Sequence, residues 1–512
     1  MFGNFTKTEN RKTALNLITG LLTVIINFGI SFFLSPFIVR HLGAEANGFS
    51  QLANNFVMYA SLITISFNSM AARFVAYSYH QNKIEEANKY YSSIFIVNEI
   101  VSCILLPIAI LIVIYLENII NIDNSDTTDV KILFACVFLN FFVNLTMSLF
   151  SMAMYVKNAM YYMNILNVFR TFFNALLLFV VFNIFPIYIF YVSAVAVLIS
   201  LFLLPIYINL RNKLLPEIKL NVKNFSFKHI KDLFSSGIWN TVNQCGHLFN
   251  TGLDLLLANW FINPFYMGVL AISKTIPSAI IHLSTTINNN FVPSIIKTWA
   301  EGDRTKILKE LNVGIKISTI VVSIPIMVFC CFCYDFYSLW QPTLDPKILA
   351  ILSVLSCLAF IPFAGTQTLY NVFTASNNLK YNSVTFLIAG VINVIIVYVG
   401  LVCFPDYGIY ILAAASPIIT IARNIILLLP YTSKILGVKW CYYYKDILFT
   451  LLCCASTLII ALVISQILTI NGWIGLFIKL ALTIIFAIIA DCIILLNKEE
   501  LNFIKRKIKL SK

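Results

Sequence analysis

An otherwise apolar run, NTGLDLLLANWFINPFYMGVLAISKT at residues 250–275, holds one acid, Asp254, and one base, Lys274. Each stands ten positions from Pro264, so two helices turning there set both at similar depth, about 8–12 Å from the turn at 1.5 Å per residue. A pair is cheaper to bury than either charge alone, and removing one partner strands the other at roughly 3–5 kcal/mol. Two readings stay open: a static neutralised pair, or a switch whose members exchange partners. Arg170 lies about 12 Å inside its apolar run. Its planar guanidinium suits paired anionic oxygens, or else it snorkels or bonds a helix carbonyl. Arg40 and Arg73 stand near opposite ends of the first two apolar runs, and Arg423 lies in the inner half of a later one, where snorkelling is the simpler reading. Lys479 and Asp491 read as structural or lipid-facing, and Glu99 has no evident partner.

The stretch WNTVNQCGHLFN adds a polar stripe: Asn240, Asn243, Gln244, His247 and Asn250 recur at spacings of three and four and share one helical face. Amides offer donors and acceptors to a hydroxyl-rich ligand, or they join helices to one another. His247 titrates near neutral pH in water. His282, Asn288, Asn289 and Asn290 extend the polar set to the next run.

These residues are notable because of what surrounds them. The 512 residues are 60% hydrophobic and 11% charged, against about a quarter charged in soluble chains. Apolar segments lie near 14–39, 47–76, 91–116, 130–156, 162–183, 186–209, 233–259, 266–293, 312–334, 347–371, 382–403, 409–430, 448–469 and 474–497. Each reaches the about 20 residues a spanning helix needs. The expectation is an all-α integral membrane protein of about fourteen transmembrane helices. In that setting an ionisable side chain costs about 2.5–3.5 kcal/mol on insertion scales and turns toward a cavity or a partner.

The net charge of +13 is distributed by side. Bases cluster at Lys7, Arg11 and Lys12, at Lys83 and Lys89, through 211–231, at 297–309, at 434–445 and at Lys505, Arg506, Lys507 and Lys509. The alternate connections at 117–129, 183–186, 263–265, 404–408 and 471–473 are nearly free of them. That pattern predicts both termini on the cytoplasmic side. The polar N-terminus followed by a long apolar run reads as an uncleaved insertion signal. The basic stretch after the sixth segment divides the chain into a six-helix lobe at 1–210, a cytoplasmic linker at 211–232, a second six-helix lobe at 233–430, and a helix pair with a basic tail at 431–512. A shift of 220 overlays the first hairpin on the seventh and eighth segments, with Gly48 matching Gly268. Halves of this kind are common in transporters.

The twelve cysteines lie mostly in apolar runs with no zinc spacing. No P-loop, nucleophile or metal motif stands out, and no cofactor, metal or nucleic acid is expected.

The hairpin SPFIVRHLGAEANGFSQLANNFVMYASLITISFNSMAARFVAY, with Pro36, Arg40, Leu42, Gly43 and Gly48 around its turn and Ala72, Arg73 and Phe74 beyond, resembles the opening of bacterial polysaccharide-unit flippases. These are the O-antigen and capsule branch of the MATE-like exporter superfamily. The resemblance implies two helical bundles forming a V around a central, cationic cavity. It implies transport of undecaprenyl-pyrophosphate-linked oligosaccharides from the cytoplasmic to the outer leaflet of the bacterial plasma membrane, coupled to a proton or sodium gradient. A polysaccharide polymerase and a chain-length regulator are the implied partners, besides membrane lipids. Arg40 and Arg73 match the motif positions; from their depth and chemistry alone, Arg170 and Lys274 join them as pyrophosphate ligands, the stripe of Asn240, Asn243, Gln244, His247 and Asn250 binds sugar, and Asp254 is the ion-coupling candidate. A MATE-like exporter of cationic drugs needs acids instead, and the deep charges are mostly bases. A polymerase or glycosyltransferase needs a sizeable outer loop or soluble domain, and the outer connections are short.

The side assignment is checked with single cysteines in a cysteine-free background. In intact cells a membrane-impermeant maleimide labels Asn471→Cys and leaves Lys213→Cys unlabelled; the reverse pattern inverts the topology.

Overall fold

The computed structural model describes residues 7–122 and 127–496. Among these, every regular element is helical. The chain packs as two compact units, one of Met1–Leu248 with Gly252–Gly268, the other of Phe249–Thr251 with Val269–Lys512. The basic tail at Lys505, Arg506, Lys507 and Lys509 lies outside the described residues.

The first unit opens with α1 (Lys7–His80), in effect two helices joined at Gly43, whose backbone (φ 83°, ψ 171°) is non-helical. That region is open essentially to glycine alone, which explains a glycine at the turn predicted near residues 43–48. Next come α2 (Ile84–Ile114), α3 (Thr127–Val156), α4 (Met160–Ile184) and α5 (Phe190–Leu214). Asp129 accepts from the Ile189 and Phe190 amides at 2.8 Å each, so a carboxylate sits where the helix dipole and free N–H groups of α5 favour one. Asn82 and Asn158, both at positive φ, make the tight turns before α2 and α4; asparagine tolerates that conformation better than most residues.

The segment after α5 is not a free surface strap. Leu215 and Ile218 are fully buried in a cluster with Phe67, Ala71, Tyr91 and Leu233. Backbone amides of Lys219, Asn221 and Ser226 bond Asn88, Ser92 and Ser93 of α2. It leads into α6 (Phe227–His247), a π turn at Leu248–Gly252, and α7 (Asp254–Phe261). From the hairpin turn α8 (Pro264–Ser273) passes into the second unit.

That unit contains α9 (Thr275–Glu301), α10 (Arg304–Trp340), α11 (Pro346–Cys357), α12 (Tyr370–Ala375), α13 (Leu379–Cys403), α14 (Gly408–Arg423), a second π turn at Asn424–Leu428, α15 (Leu429–Leu436), α16 (Tyr444–Ile467) and α17 (Gly472–Leu495). Asp303 caps α10 by accepting from the Thr305 and Lys306 amides at 3.0 and 3.1 Å. The Thr305 hydroxyl and these amides hold its carboxyl below the usual carboxylate range. Buried Ile324, Val328, Phe332, Ala461, Leu476 and Ala487 form a core shared by α10, α16 and α17.

Among the described residues, ten helical spans are long and apolar enough to cross a membrane. The other four expected segments fall on the two arms of α1, on the polar and interrupted α6–α7 stretch, and on the stretch from α11 to α12, which short turns break. Many large apolar side chains stay exposed along the spans, among them Ile104, Phe179, Phe202, Ile395, Ile459 and Ile474, as expected of surfaces solvated by lipid.

Two close crossings inside the first unit depend on glycine. A Cβ on Gly268 would lie 2.1 Å from the Ala44 carbonyl oxygen, and one on Gly48 would lie 2.8 Å from the Gly268 Cα. The glycines matched by the 220-residue shift therefore pack against each other. A Cβ on Gly237 would lie 1.6 Å from the Ser66 carbonyl oxygen, which brings α6 against the second arm of α1. Small residues permit such backbone contact between membrane helices.

Gly268→Ala should lower thermal stability in detergent by about 1–3 kcal/mol, the usual cost of forced overpacking. Gly29→Ala, where a Cβ meets nothing within 4 Å, should not. Equal melting of the two variants would show that the crossing can yield without cost.

Candidate functional site

In the first unit, Arg170 sits on α4, half-buried. Its Nη1 donates to Asn144 Oδ1 at 3.0 Å and Nη2 to Asn140 Oδ1 at 3.4 Å. These asparagines are four apart on α3, so they share a face. Ser200 of α5 donates to the same Asn140 oxygen at 2.7 Å. Among the described residues Arg170 has no ion pair. Neutral amides orient the guanidinium and leave its charge uncancelled.

Arg40 and Arg73 are both exposed on α1. Arg40 stands just before Gly43, whereas Arg73 lies about 45 Å down the second arm at helical rise. They work at opposite ends of the bundle and cannot grip one phosphate together.

Asp254 is buried, with 2% exposure, at the first turn of α7. The π turn before it frees the Gly252 carbonyl, which accepts from Tyr59 Oη at 2.6 Å and Asn55 Nδ2 at 3.1 Å, both on α1. Tyr59 is close enough to feel the Asp254 charge. Lys274 belongs to the second unit, half-buried at the break between α8 and α9.

The polar stripe divides. Asn240 donates to Ser69 Oγ at 3.1 Å, and the hydroxyls of Thr241 and Ser66 are 2.5 Å apart; this part fastens α6 to α1. Asn243 and Gln244 are half-buried and His247 is exposed. Asn250 does not continue the face, because the five-residue π turn re-aims the chain after His247. It is buried in the second unit, donating to the Phe386 carbonyl at 3.4 Å, while Asn393 Nδ2 donates to the carbonyls of Phe249 and Asn250 at 3.0 and 3.1 Å. Uninterrupted α-helical spacing was the assumption behind the shared face, and it fails at residue 248. In α9, Asn288 is a structural knot: its Oδ1 accepts from Ser318 and Thr368, and its carbonyl from Asn371.

Arg423 corrects the snorkel reading. Only 5% exposed, it directs Nη2 to Asn382 Oδ1 at 2.5 Å, to the Asn382 carbonyl at 3.1 Å and to Thr385 Oγ1 at 3.3 Å. Nη1 reaches Tyr370 Oη at 3.3 Å and Asn424 Oδ1 at 3.4 Å. The Phe386 ring lies 5.0 Å from the guanidinium carbon, within cation–π range. The only sequence signal was a base in an apolar run; the cage comes from α12, α13 and the second π turn. Both π turns adjoin a buried charge, Asp254 in one case and Arg423 in the other, and such turns are frequent at functional sites.

The family model described as polysaccharide biosynthesis protein matches residues 14–299. The uncharacterized membrane protein EpsK of Bacillus subtilis (strain 168) is 25% identical over 509 residues, covering 98% of this chain and 99% of the relative. Among solved structures, the lipid II flippase MurJ in an inward closed conformation has a TM-score of 0.69 at 15% identity, covering 94% of this chain and 98% of that one. A multidrug resistance MATE family transporter of the MOP superfamily, in an inward-facing conformation, has a TM-score of 0.63 at 12% identity, covering 83% and 98%. At these identities the two structures show the fold.

Asn382→Leu should lower thermal stability by about 1–3 kcal/mol through the donors it strands. Adding Arg423→Met should recover part of that loss, since no charge is then left without its acceptors. A double variant whose loss is the plain sum of the single ones would mean that Asn382 does not support Arg423.

Proposed function

This multi-pass membrane protein belongs to the polysaccharide biosynthesis protein family, and from that premise we propose that it is a transporter of the MOP flippase type that moves undecaprenyl-pyrophosphate-linked oligosaccharide repeat units from the cytoplasmic to the outer leaflet. The proposed mechanism is ion-coupled alternating access in the bacterial plasma membrane, with both termini cytoplasmic, serving a surface polysaccharide such as O-antigen or capsule.

The observation that carries this reading is Arg170, a half-buried guanidinium held by Asn140 and Asn144 with no ion pair among the described residues. An acid beside it would neutralise the site. Amides keep it oriented and cationic, the state that paired phosphate oxygens require. In this scheme Arg73 and Arg40, near opposite ends of the second arm of α1, meet the pyrophosphate at entry and exit. Arg170 and Lys274 hold it at depth. Asn240, Asn243, Gln244 and His247 take sugar hydroxyls, without Asn250, which the π turn carries into the second unit, and Asp254, in exchange with Lys274, takes the coupling proton or sodium ion. The organisation into 1–210, 211–232, 233–430 and 431–512 supplies the halves that alternate. With the cytoplasm negative, each negative charge moved fully outward gains about 2.3 kcal/mol per 100 mV, so the membrane potential favours export of a pyrophosphate. A polymerase and a chain-length regulator would receive the product.

Export of a small cationic drug is the second reading, and the buried Asp254 favours it. Against it stand the bases Arg170 and Arg423, each bonded by neutral groups.

In proteoliposomes with a pyrophosphate-linked oligosaccharide, Arg170→Gln and Lys274→Gln should each slow flipping at least about tenfold, since each removes a charge-assisted contact worth about 1.5–3 kcal/mol. Flipping at the native rate in both variants would overturn the assignment, and export of cationic dyes by the native protein without flipping would favour the second reading.

A further inference from the structure

The terminal helix pair contains a group that the proposed function does not use. Asp491 of α17 is fully buried, at 0% exposure. Its Oδ1 lies 3.1 Å from Ser456 Oγ of α16, and among the described residues its buried Oδ2 has no nitrogen or oxygen partner, the weak donor at hand being the Cys453 thiol. Among the described residues, the groups around it offer no cation. From α16 come the thiols of Cys453 and Cys454, and from α17 that of Cys492. From α10 comes Cys330, beside Cys454. Lys479 of α17 stands about 18 Å further along the helix and is paired with Asp335 of α10 at 3.8 Å. Lys316 of α10 and Lys445 lie by Asp446, in the first turn of α16 and about 15 Å along it from Ser456. An ionised carboxylate buried among thiols and one hydroxyl costs several kcal/mol, whereas a neutral acid costs only what a buried polar group does.

The hydrogen inventory points the same way. Ser456 Oγ lies 2.8 Å from the Cys453 carbonyl as well as 3.1 Å from Asp491 Oδ1. A serine hydroxyl has one hydrogen and two lone pairs. The carbonyl accepts only, so the hydroxyl hydrogen goes there at the shorter distance. The contact with Asp491 is then a bond only if the carboxyl carries a proton and donates it to Ser456 Oγ. Protonation satisfies both contacts and removes the uncompensated charge; ionisation leaves two acceptors competing for one hydrogen.

We propose that Asp491, with Ser456 as acceptor, is a proton-binding site in the α16–α17 pair, occupied at neutral pH. It is separate from Asp254 and independent of the flippase reading. The step is simple: a proton from water adds to the Asp491 carboxylate as the O–H···Oγ bond forms, and leaves to water when the helices part enough to hydrate it.

The test uses the full-length protein in lipid, by infrared difference spectroscopy and by labelling with the hydrophobic carbodiimide DCCD, which attacks protonated buried carboxyls. The expected result at neutral pH is a neutral-acid C=O band that Asp491→Asn abolishes and Ser456→Ala shifts to higher frequency, because the accepting hydroxyl is lost. DCCD should modify the peptide containing Asp491, less so as pH rises. Only ionised-carboxylate bands from neutral to mildly acidic pH, or labelling that spares Asp491 in the native protein, would overturn the proposal. The native-protein labelling decides even if Asp491→Asn fails to fold.

Discussion

The constraint on which the rest depends is the absence of water at bilayer depth. A polar group there must find its partner within the protein, because lipid supplies none. Among the described residues, amides and hydroxyls meet much of this constraint. Asn68 and Asn98 bond each other reciprocally at 3.0 and 3.1 Å. Asn140 and Asn144 hold Arg170, Asn382 and Thr385 hold Arg423, and Asn288 gathers Ser318, Thr368 and Asn371.

This choice of partner has an electrostatic consequence. A carboxylate beside a buried arginine cancels its field, while an amide oxygen fixes the geometry and leaves the charge intact. Arg170 therefore remains a cation that an anionic headgroup can complete. The pairs of Lys297 and Lys306 with Glu301 are on exposed side chains, where solvent makes them weak, and the mostly buried Lys479 keeps an exposed partner, Asp335.

Helix interruptions do the positioning. Gly43 breaks α1 into two arms, and the second arm separates Arg40 from Arg73. The π turn at Leu248–Gly252 releases a carbonyl to Tyr59 and Asn55, and turns Asn250 away from the stripe that ends at His247. The π turn at Asn424–Leu428 follows Arg423 directly and contributes Asn424 to its cage. In each case a local departure from α-helical geometry lies beside a charge that would be costly to bury elsewhere.

Much of this was legible in the residues alone. Hydrophobic run length marks helices because a spanning segment satisfies its own backbone locally, and that needs no tertiary information. The same holds for the Gly43 turn and for Arg170 as a buried base. The partners of those charges were not legible. Asn140 and Asn144 precede Arg170 by 30 and 26 positions and Asn382 precedes Arg423 by 41, and nothing in a one-dimensional pattern says which amides will meet which guanidinium. Nor does composition show that the helix at Leu248–Gly252 widens by a residue, since a π turn is stabilised by neighbours rather than by its own side chains. Which segments cross apolar space is a property of each segment alone; which polar groups satisfy one another there is decided only when helices distant in sequence pack.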